Sequence, residues 1–195
     1  MVMKKNDIDL LKKDNLYIWP KEDFDIKNII DVTPEPVKET KREVIIVSPH
    51  PDDEIIGCYE VLQKEKPIII YSGDTPQKRR EEALKLKEHT NIKAQIFQMT
   101  IPTTFLNPKV IIYMPDPIYE IHPEHRKWGS LGESLVRNGI NVIFYNTNMN
   151  APYIHEVKEP DKKEELLNKV YPDQKSLWNT DHKYFLFEGY NKWIM

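Results

Sequence analysis

The sequence predicts an α/β fold: a Rossmann-like, mostly parallel sheet flanked by helices. From residue 44 onward, short continuous apolar runs alternate with amphipathic stretches, a pattern typical of buried parallel strands connected by helices. The chain has 195 residues, enough for one domain with a sizeable core. Because ligands of such folds bind outside the carboxyl ends of the strands, we expect the chemistry there.

Five apolar runs are the predicted strands. Each is rich in the β-branched and aromatic residues that favour a pleated, buried surface. The runs cover residues 43–48, 67–72, 94–99, 109–114 and 141–146.

Two stretches between these runs are predicted helices. Residues 75–90 are rich in helix formers, and we expect Thr75 as the N-cap and Pro76 as the first helical residue. Residues 123–138 form the second predicted helix, although two glycines within it weaken the prediction.

Residues 1–43 differ from the rest of the chain. They are polar and charged, with two prolines in "VTPEPVKETKRE" and no trustworthy helical or strand period. We therefore expect a partly irregular N-terminal extension, followed by a single α/β domain over residues 44–195.

Composition argues against several classes of protein. The 28 basic and 31 acidic residues give a formal charge of −3. The composition therefore does not predict the basic surface that a nucleic-acid partner would require. The apolar runs fall far short of the roughly 18 residues that a membrane span needs, and the N-terminus lacks the apolar stretch of a secretory signal. The single cysteine, Cys58, allows no internal disulfide. We expect a cytoplasmic protein.

Two of the predicted strand ends carry clusters of histidine and carboxylate. "HPDDE" at residues 50–54 follows the first strand, and "HPEH" at residues 122–125 follows the fourth. In both, a histidine precedes a proline, which is favoured at the first helical position, so each cluster predicts a helix start. The third residue after each histidine, Asp53 or His125, is expected beside it because positions i and i+3 share a helix face.

These residue types suit a metal site with a hydrolytic role. His50, Asp53 and one histidine of the second pair would hold a catalytic zinc and leave a position for water. A site of two histidines and one carboxylate also suits iron(II) or another divalent metal. Asp52 would be free of the metal and is the obvious general base.

A plainer interpretation is that the first cluster only caps a helix. Acidic residues at helix N-termini accept free N–H groups and oppose the helix dipole, and Asp52, Asp53 and Glu54 fit that description. The second cluster favours the metal interpretation, because histidine has no general capping preference. Glu54 is left without a predicted role in the metal site.

The segments "SPHPDDEIIG" and "HPEHRKWG" together resemble the LmbE-like, or PIG-L, family of metal-dependent N-deacetylases. The family's first signature is a strand that runs into HPDDE, and its second is an HPDH-like segment ahead of a helix. Here Glu124 replaces the usual aspartate of the second signature. The resemblance covers residues 43–137, and "YPDQKSLW" resembles a late family segment more loosely.

The resemblance implies a role for each matching residue. His50, Asp53 and His125 would bind zinc, Asp52 would be the general base, and His122 would help to polarise or protonate. It also implies a substrate class, an N-acetylated amino sugar or sugar conjugate from which an acetyl group is removed.

Arg79 matches a family arginine that follows the second strand, which implies a contact with substrate. The alternative for Arg79 is an exposed helix charge paired with a neighbouring glutamate. Two other functions remain open for the whole chain: a metal-dependent amidase acting on a larger conjugate, and a non-catalytic α/β binding protein whose clusters are caps.

Other residues with reactive or aromatic side chains are expected to be structural. His155 and His182 are expected to face solvent, and the alternative is that a C-terminal loop brings one of them to the pocket. The tryptophans would either pack or line a sugar site. The full set of residues expected to be structural is His89, Cys58, Trp128, Trp178, Trp193, His155 and His182.

Overall fold

The computed structural model describes residues 42–148, 150–178 and 183–191 of the chain. These residues belong to one structural unit. The predicted extension over residues 1–43 lies outside the described residues, apart from its last two positions.

A seven-stranded mixed sheet forms the centre of the fold. Its strands are β1 (Glu43–Ser48), β2 (Ile68–Tyr71), β3 (Ala94–Phe97), β4 (Val110–Pro115), β5 (Asn141–Asn146), β6 (Tyr153–Glu156) and β7 (Phe187–Asn191). Their order across the sheet is β3-β2-β1-β4-β5-β7-β6. Strands β1 to β5 are parallel, and β7 runs antiparallel to both β5 and β6. The predicted fold class is confirmed, and the five predicted strands are all present with bounds shifted by at most two residues.

Helices cover both faces of the sheet. They are α1 (Asp53–Lys64), α2 (Gln77–Leu84), α3 (Leu86–His89), α4 (Pro123–Arg137), α5 (Pro160–Val170), α6 (Lys175–Trp178) and α7 (Lys183–Leu186). Side chains of α1 and α5 pack in one core cluster, whereas those of α4 pack in the other. Successive residues of β1 contribute to opposite clusters, Ile46 to the first and Ile45 to the second. Burial on both faces explains why the strand reads as a continuous apolar run.

The strand order creates a switch point between β1 and β4. From β1 the chain passes through α1 to β2 on one side, and from β4 it passes through α4 to β5 on the other. Because the two connections lie on opposite faces of the sheet, a crevice opens at the carboxyl ends of β1 and β4. The two histidine clusters follow these two strands.

Two predicted helix starts are wrong by one or two residues. Helix α2 begins at Gln77 with Pro76 as the N-cap residue, and the Thr75 hydroxyl donates to the Gly73 carbonyl instead of capping the helix. Helix α1 begins at Asp53, so Pro51 precedes the helix rather than opening it. In both cases the preference for proline at the first helical position predicts a helical residue where the chain instead forms a tight turn after the strand.

The glycines of α4 serve close packing rather than weaken the helix. A β-carbon at Gly129 would lie 2.5 Å from the Pro117 nitrogen, and one at Gly132 would lie 2.6 Å from the Phe144 ring. Glycine therefore lets α4 approach β4 and β5 closely, and the packing offsets its low helix propensity.

Helix α1 is kinked at Cys58, which has φ −139° and ψ 27°. Next to the kink, the Ile56 carbonyl accepts a hydrogen bond from Lys163 Nζ at 2.7 Å, and the Glu60 N–H donates to the Glu188 carboxylate at 3.3 Å. In a regular α-helix these two backbone groups pair with each other. The fully buried Lys163 and Glu188 side chains thus supply partners on both sides of the kink.

Within the described part of the chain, no helix has the length and apolar character required to cross a lipid bilayer.

Candidate metal centre

The turn after β1 holds the first cluster in an uncommon backbone conformation. Asp52 has φ 126° and ψ −30°, and among the described residues it alone combines a positive φ with a side chain. Its carbonyl accepts the N–H groups of Ile55 and Ile56 at 2.9 Å, which starts α1. Asp53 Oδ2 accepts the backbone N–H of His50 at 2.8 Å, so the turn brings these two residues together.

The Glu54 carboxylate stabilises this turn by accepting four hydrogen bonds. Its buried carboxylate accepts hydrogen bonds from the Ser48 hydroxyl at 2.9 Å and from the Asp52 N–H at 3.1 Å. Two tyrosine hydroxyls donate to it as well, Tyr171 at 2.5 Å and Tyr71 at 3.4 Å. Burial raises the pKa of Glu54, and the hydrogen bonds from Tyr171, the Asp52 N–H and Ser48 oppose the shift. Glu54 is thus an anchor of the strained turn.

The second cluster begins α4 as the sequence predicts, with Pro123 at the first helical position. His122 is the N-cap residue, and its Nδ1 accepts the Glu124 N–H at 3.3 Å. Although histidine has no general capping preference, His122 caps this helix. Because the cap occupies Nδ1 as an acceptor, the neutral ring carries its proton on Nε2.

Three possible ligand atoms from the two clusters meet in the crevice. His50 Nδ1 lies 3.0 Å from His125 Nε2, and Asp53 Oδ2 lies 3.0 Å from His125 Nε2. The third side of this triangle, from His50 Nδ1 to Asp53 Oδ2, is 3.4 Å. Ligands bound to zinc at about 2.0–2.1 Å in a tetrahedron lie about 3.3 Å apart. The triangle therefore has the size that one small divalent ion requires.

The three histidines also form a cluster that could hold a metal ion. One nitrogen from each of His50, His122 and His125 lies within 4.8 Å of the others. This set and the triangle through Asp53 differ in the third ligand. The triangle is smaller, and His122 can offer Nε2 as a ligand only by giving up its cap, so we favour Asp53.

In both His50 and His125, the ring nitrogen that does not belong to the triangle contacts a carboxylate. Glu124 Oε2 is 3.0 Å from His50 Nε2, and Glu120 Oε2 is 3.2 Å from His125 Nδ1. Carboxylates in such positions fix the orientation of metal-binding imidazoles and raise their basicity.

Charge in the crevice favours a bound cation. Burial alone would lower the pKa of His125, but the Asp53 and Glu120 carboxylates outweigh burial and raise it to about 10. Burial would raise the pKa of Asp53, but His125 and His50 hold it well below its usual range. The site therefore stabilises positive charge, which either protons or a metal ion can supply.

Asp52 stands beside the triangle and is held by Arg79. The Arg79 guanidinium lies 3.0 Å from Asp52 Oδ2 and 3.4 Å from Glu82 Oε2, and it also donates to the Pro51 carbonyl. Burial raises the pKa of Asp52 to about 8, with a further contribution from the Asp53 charge and opposition from Arg79. The interpretation of Arg79 as an exposed charge is wrong in part, because its side chain is only 16% exposed although it does pair with a glutamate.

A cavity of about 580 Å³ opens over these residues. All six predicted site residues line it. The apolar part of its lining, here called the apolar wall, consists of Ile56, Pro76, Leu177, Trp178 and Tyr184. Asp74, Thr147 and Asn148, which follow β2 and β5, add polar groups to the rim.

The other residues considered from sequence lie mostly away from this cavity. Cys58 and Trp128 are buried in the two cores, as expected. His155 is exposed on β6, stacked against Tyr190, and does not line the cavity. Trp178 is buried but does line it. His182 and Trp193 lie outside the described residues.

Two residues that contact His125, Thr147 and Glu120, were not predicted from the sequence. Thr147 follows β5, so the rule that ligands bind at strand ends would have indicated it. Glu120 lies in the irregular loop between β4 and α4. Neither spacing nor periodicity marks such a position.

Comparison of the chain with protein-family models, with curated proteins and with solved structures finds no match.

Proposed function

We propose that this protein is a zinc-dependent hydrolase that removes an acetyl group from an N-acetylated amino sugar or sugar conjugate, in the manner of the LmbE-like deacetylases that it resembles. The observation that carries the proposal is the 3.0–3.4 Å triangle of His50 Nδ1, Asp53 Oδ2 and His125 Nε2. A pair of imidazole nitrogens with one carboxylate oxygen is a ligand set of catalytic zinc sites.

When bound, zinc would supply Lewis-acid chemistry, polarising a carbonyl and acidifying water. Asp52 would accept the proton of the water that attacks the amide carbon and return it to the leaving amine. Its raised pKa, about 8, suits a group that both takes and gives a proton near neutral pH. Arg79 would hold the carboxylate of Asp52 in position for both transfers.

His122 would stabilise the oxyanion that develops on the amide oxygen. Burial and the neighbouring histidines lower the pKa of His122, which favours the neutral ring. In that ring Nδ1 accepts the helix cap and Nε2–H remains to donate. A positioned donor of this kind stabilises the charge of the tetrahedral intermediate.

The cavity supports a substrate of sugar size. Its volume of about 580 Å³ falls within the usual range for small-molecule sites, about 300–1,000 Å³. Polar groups on the rim and an apolar wall suit a sugar ring, which has both hydroxyl edges and apolar faces.

Acetate release from a panel of N-acetylated amino sugars, sugar conjugates and nucleotide sugars tests the proposal. We expect zinc-loaded wild type to release acetate from at least one of them. Asp52→Asn should keep its zinc and lose turnover by about 10²–10⁴-fold, the usual contribution of general base catalysis. Asp161→Asn, which changes an exposed carboxylate of α5, is the matched control and should retain full activity.

Other outcomes would contradict the proposal in distinct ways. Release of a larger acid, with no acetate, would indicate an amidase acting on a bigger conjugate. A metal-free protein whose function does not depend on Asp52 would indicate a non-catalytic binding protein whose carboxylates are caps.

A further inference from the structure

Glu120 contacts a candidate metal ligand but does not itself belong to the triangle. Among the described carboxylates in such a position, it is the most deeply buried. It lies in the loop between β4 and α4, and its side chain is only 1% exposed. The contact, from Glu120 Oε2 to His125 Nδ1, is 3.2 Å long. A group buried to this degree needs a full set of hydrogen-bond partners.

The segment after β5 supplies those partners. Glu120 Oε1 accepts the Thr147 N–H at 2.5 Å. Oε2 accepts the Thr147 hydroxyl at 3.2 Å and the Asn148 side-chain amide at 3.3 Å. Both oxygens are thereby fixed by backbone and side-chain donors, so the carboxylate cannot turn away from His125.

A carboxylate can only accept hydrogen bonds. A metal ion can replace the proton on the ring nitrogen that faces Asp53, but the ring nitrogen that faces Glu120 must carry a proton. His125 Nδ1 is that nitrogen. Its Nε2 is then the nitrogen available as a ligand, and Nε2 is the atom that lies 3.0 Å from both Asp53 Oδ2 and His50 Nδ1.

We propose that Glu120 is a positioning residue of the metal centre, which holds His125 as the Nδ1–H tautomer and ties the ligand to the carboxyl end of β5 through Thr147 and Asn148. This inference rests on the metal site of the proposed function, but not on the reaction or the substrate. Outer carboxylates of this kind typically contribute 10–100-fold to metal affinity.

The test is the zinc affinity of the full-length protein, measured by competition with a chelator, in wild type, Glu120→Gln and Asp116→Asn. In Glu120→Gln, an amide NH₂ directed at His125 Nδ1 would favour the Nε2–H tautomer, which cannot bind through Nε2. We expect zinc affinity to fall by about 10–100-fold. Asp116 is a matched control, because it is buried in the same loop and accepts the N–H groups of Ile118 and Tyr119 without contacting a ligand. Asp116→Asn should bind zinc as tightly as wild type.

A second measurement needs no variant. In zinc-loaded wild type, the Nδ1–H proton of His125 should give a downfield, slowly exchanging NMR signal coupled to its ring nitrogen. Binding through Nδ1, or equal affinity in wild type and Glu120→Gln, would overturn the inference. Equal weakening in Glu120→Gln and Asp116→Asn would also overturn it, since the loss would then reflect loop stability. Absence of zinc binding in wild type would instead remove the metal site of the proposed function, and this inference with it.

Discussion

Asp52 combines a strained backbone with a central position in the site. A residue with a side chain rarely adopts φ 126°, and such conformations persist only where surrounding contacts impose them. Here Glu54 binds the Asp52 N–H, the start of α1 binds its carbonyl, and Arg79 binds its carboxylate. In this backbone conformation the Asp52 carboxylate lines the cavity beside the ligand triangle.

Relief of this strain should be measurable as stability. Asp52→Gly and Asp52→Ala both remove the carboxylate, but only glycine adopts a positive φ without steric conflict. Strain of this kind costs about 1–3 kcal/mol, and the extra backbone entropy of glycine offsets about 0.5–1 kcal/mol of the gain. We expect Asp52→Gly to exceed Asp52→Ala in free energy of unfolding by about 1 kcal/mol, as measured with urea. An alanine variant at least as stable as the glycine variant would show that the turn is unstrained.

Arg79 should act through Asp52. Replacing its guanidinium in Arg79→Met leaves Asp52, the proposed general base, without its partner, and misplacement of a catalytic group by about 1 Å can lower the rate about 10²-fold. We therefore expect kcat to fall by about that factor, with KM and bound zinc little changed. Arg80→Met is the control, because Arg80 binds the Thr75 carbonyl and lies over Phe97. A rise in KM at unchanged kcat would instead assign Arg79 a direct contact with substrate.

Sequence reasoning at the residue scale worked where a residue's type limits its chemistry. The residue types placed His50, Asp53 and one histidine of the second pair in one site, and the family resemblance selected His125. These residues lie together in the crevice, although their roles stay predictions. Glu54 had no predicted role, because its partners Tyr71 and Tyr171 are distant in sequence and only the fold brings them to it.

One buried ion pair, Lys163 and Glu188, bonds the backbone on both sides of the kink in α1. Lys163 comes from α5 and Glu188 from β7, so two separate elements stabilise the helix that carries Asp53. The ammonium group meets the carbonyl end of one helical segment and the carboxylate meets the amide end of the next. Both charges therefore complement the helix dipole on their side of the kink.

Removal of one member of this pair should be strongly destabilising. Lys163→Met leaves the Glu188 carboxylate buried without its cation, and breaking a buried pair in this way costs about 3–5 kcal/mol. The free energy of unfolding should fall by about that amount. Lys162→Met, one residue earlier, removes a surface charge paired with Glu159, and we expect a change below about 1 kcal/mol. Similar losses in the two variants would contradict the stabilising role of the buried pair.

Element starts were harder to predict than the elements themselves. The apolar runs predicted β1 to β5, since burial on both faces leaves a clear pattern. Helix α1 begins later than the proline rule indicates because the Asp52 turn intervenes, and the turn is stabilised by distant residues. The antiparallel strand β7 pairs with β5 and β6 through contacts that no local pattern indicates.

The order of the strands across the sheet brings the residues of the candidate site together. Adjacent placement of β1 and β4 brings together residues that are 75 positions apart in sequence, His50 and His125. Neighbouring β2 and β5 add Arg79, through α2, and Thr147 to the same edge. The general rule for ligands of open α/β sheets thus predicted the place of the site before its geometry was known.

In the proposed metal centre, His50, Asp53 and His125 hold one metal ion, and His122 lies outside the ligand set. Elemental analysis of wild type, His125→Ala and His122→Ala, purified after growth with added zinc, tests this assignment most directly. We expect about one zinc ion per chain in wild type and in His122→Ala, and none in His125→Ala, since zinc sites of this class depend on all three protein ligands. A metal-free wild type, or full zinc occupancy in His125→Ala, would contradict this assignment.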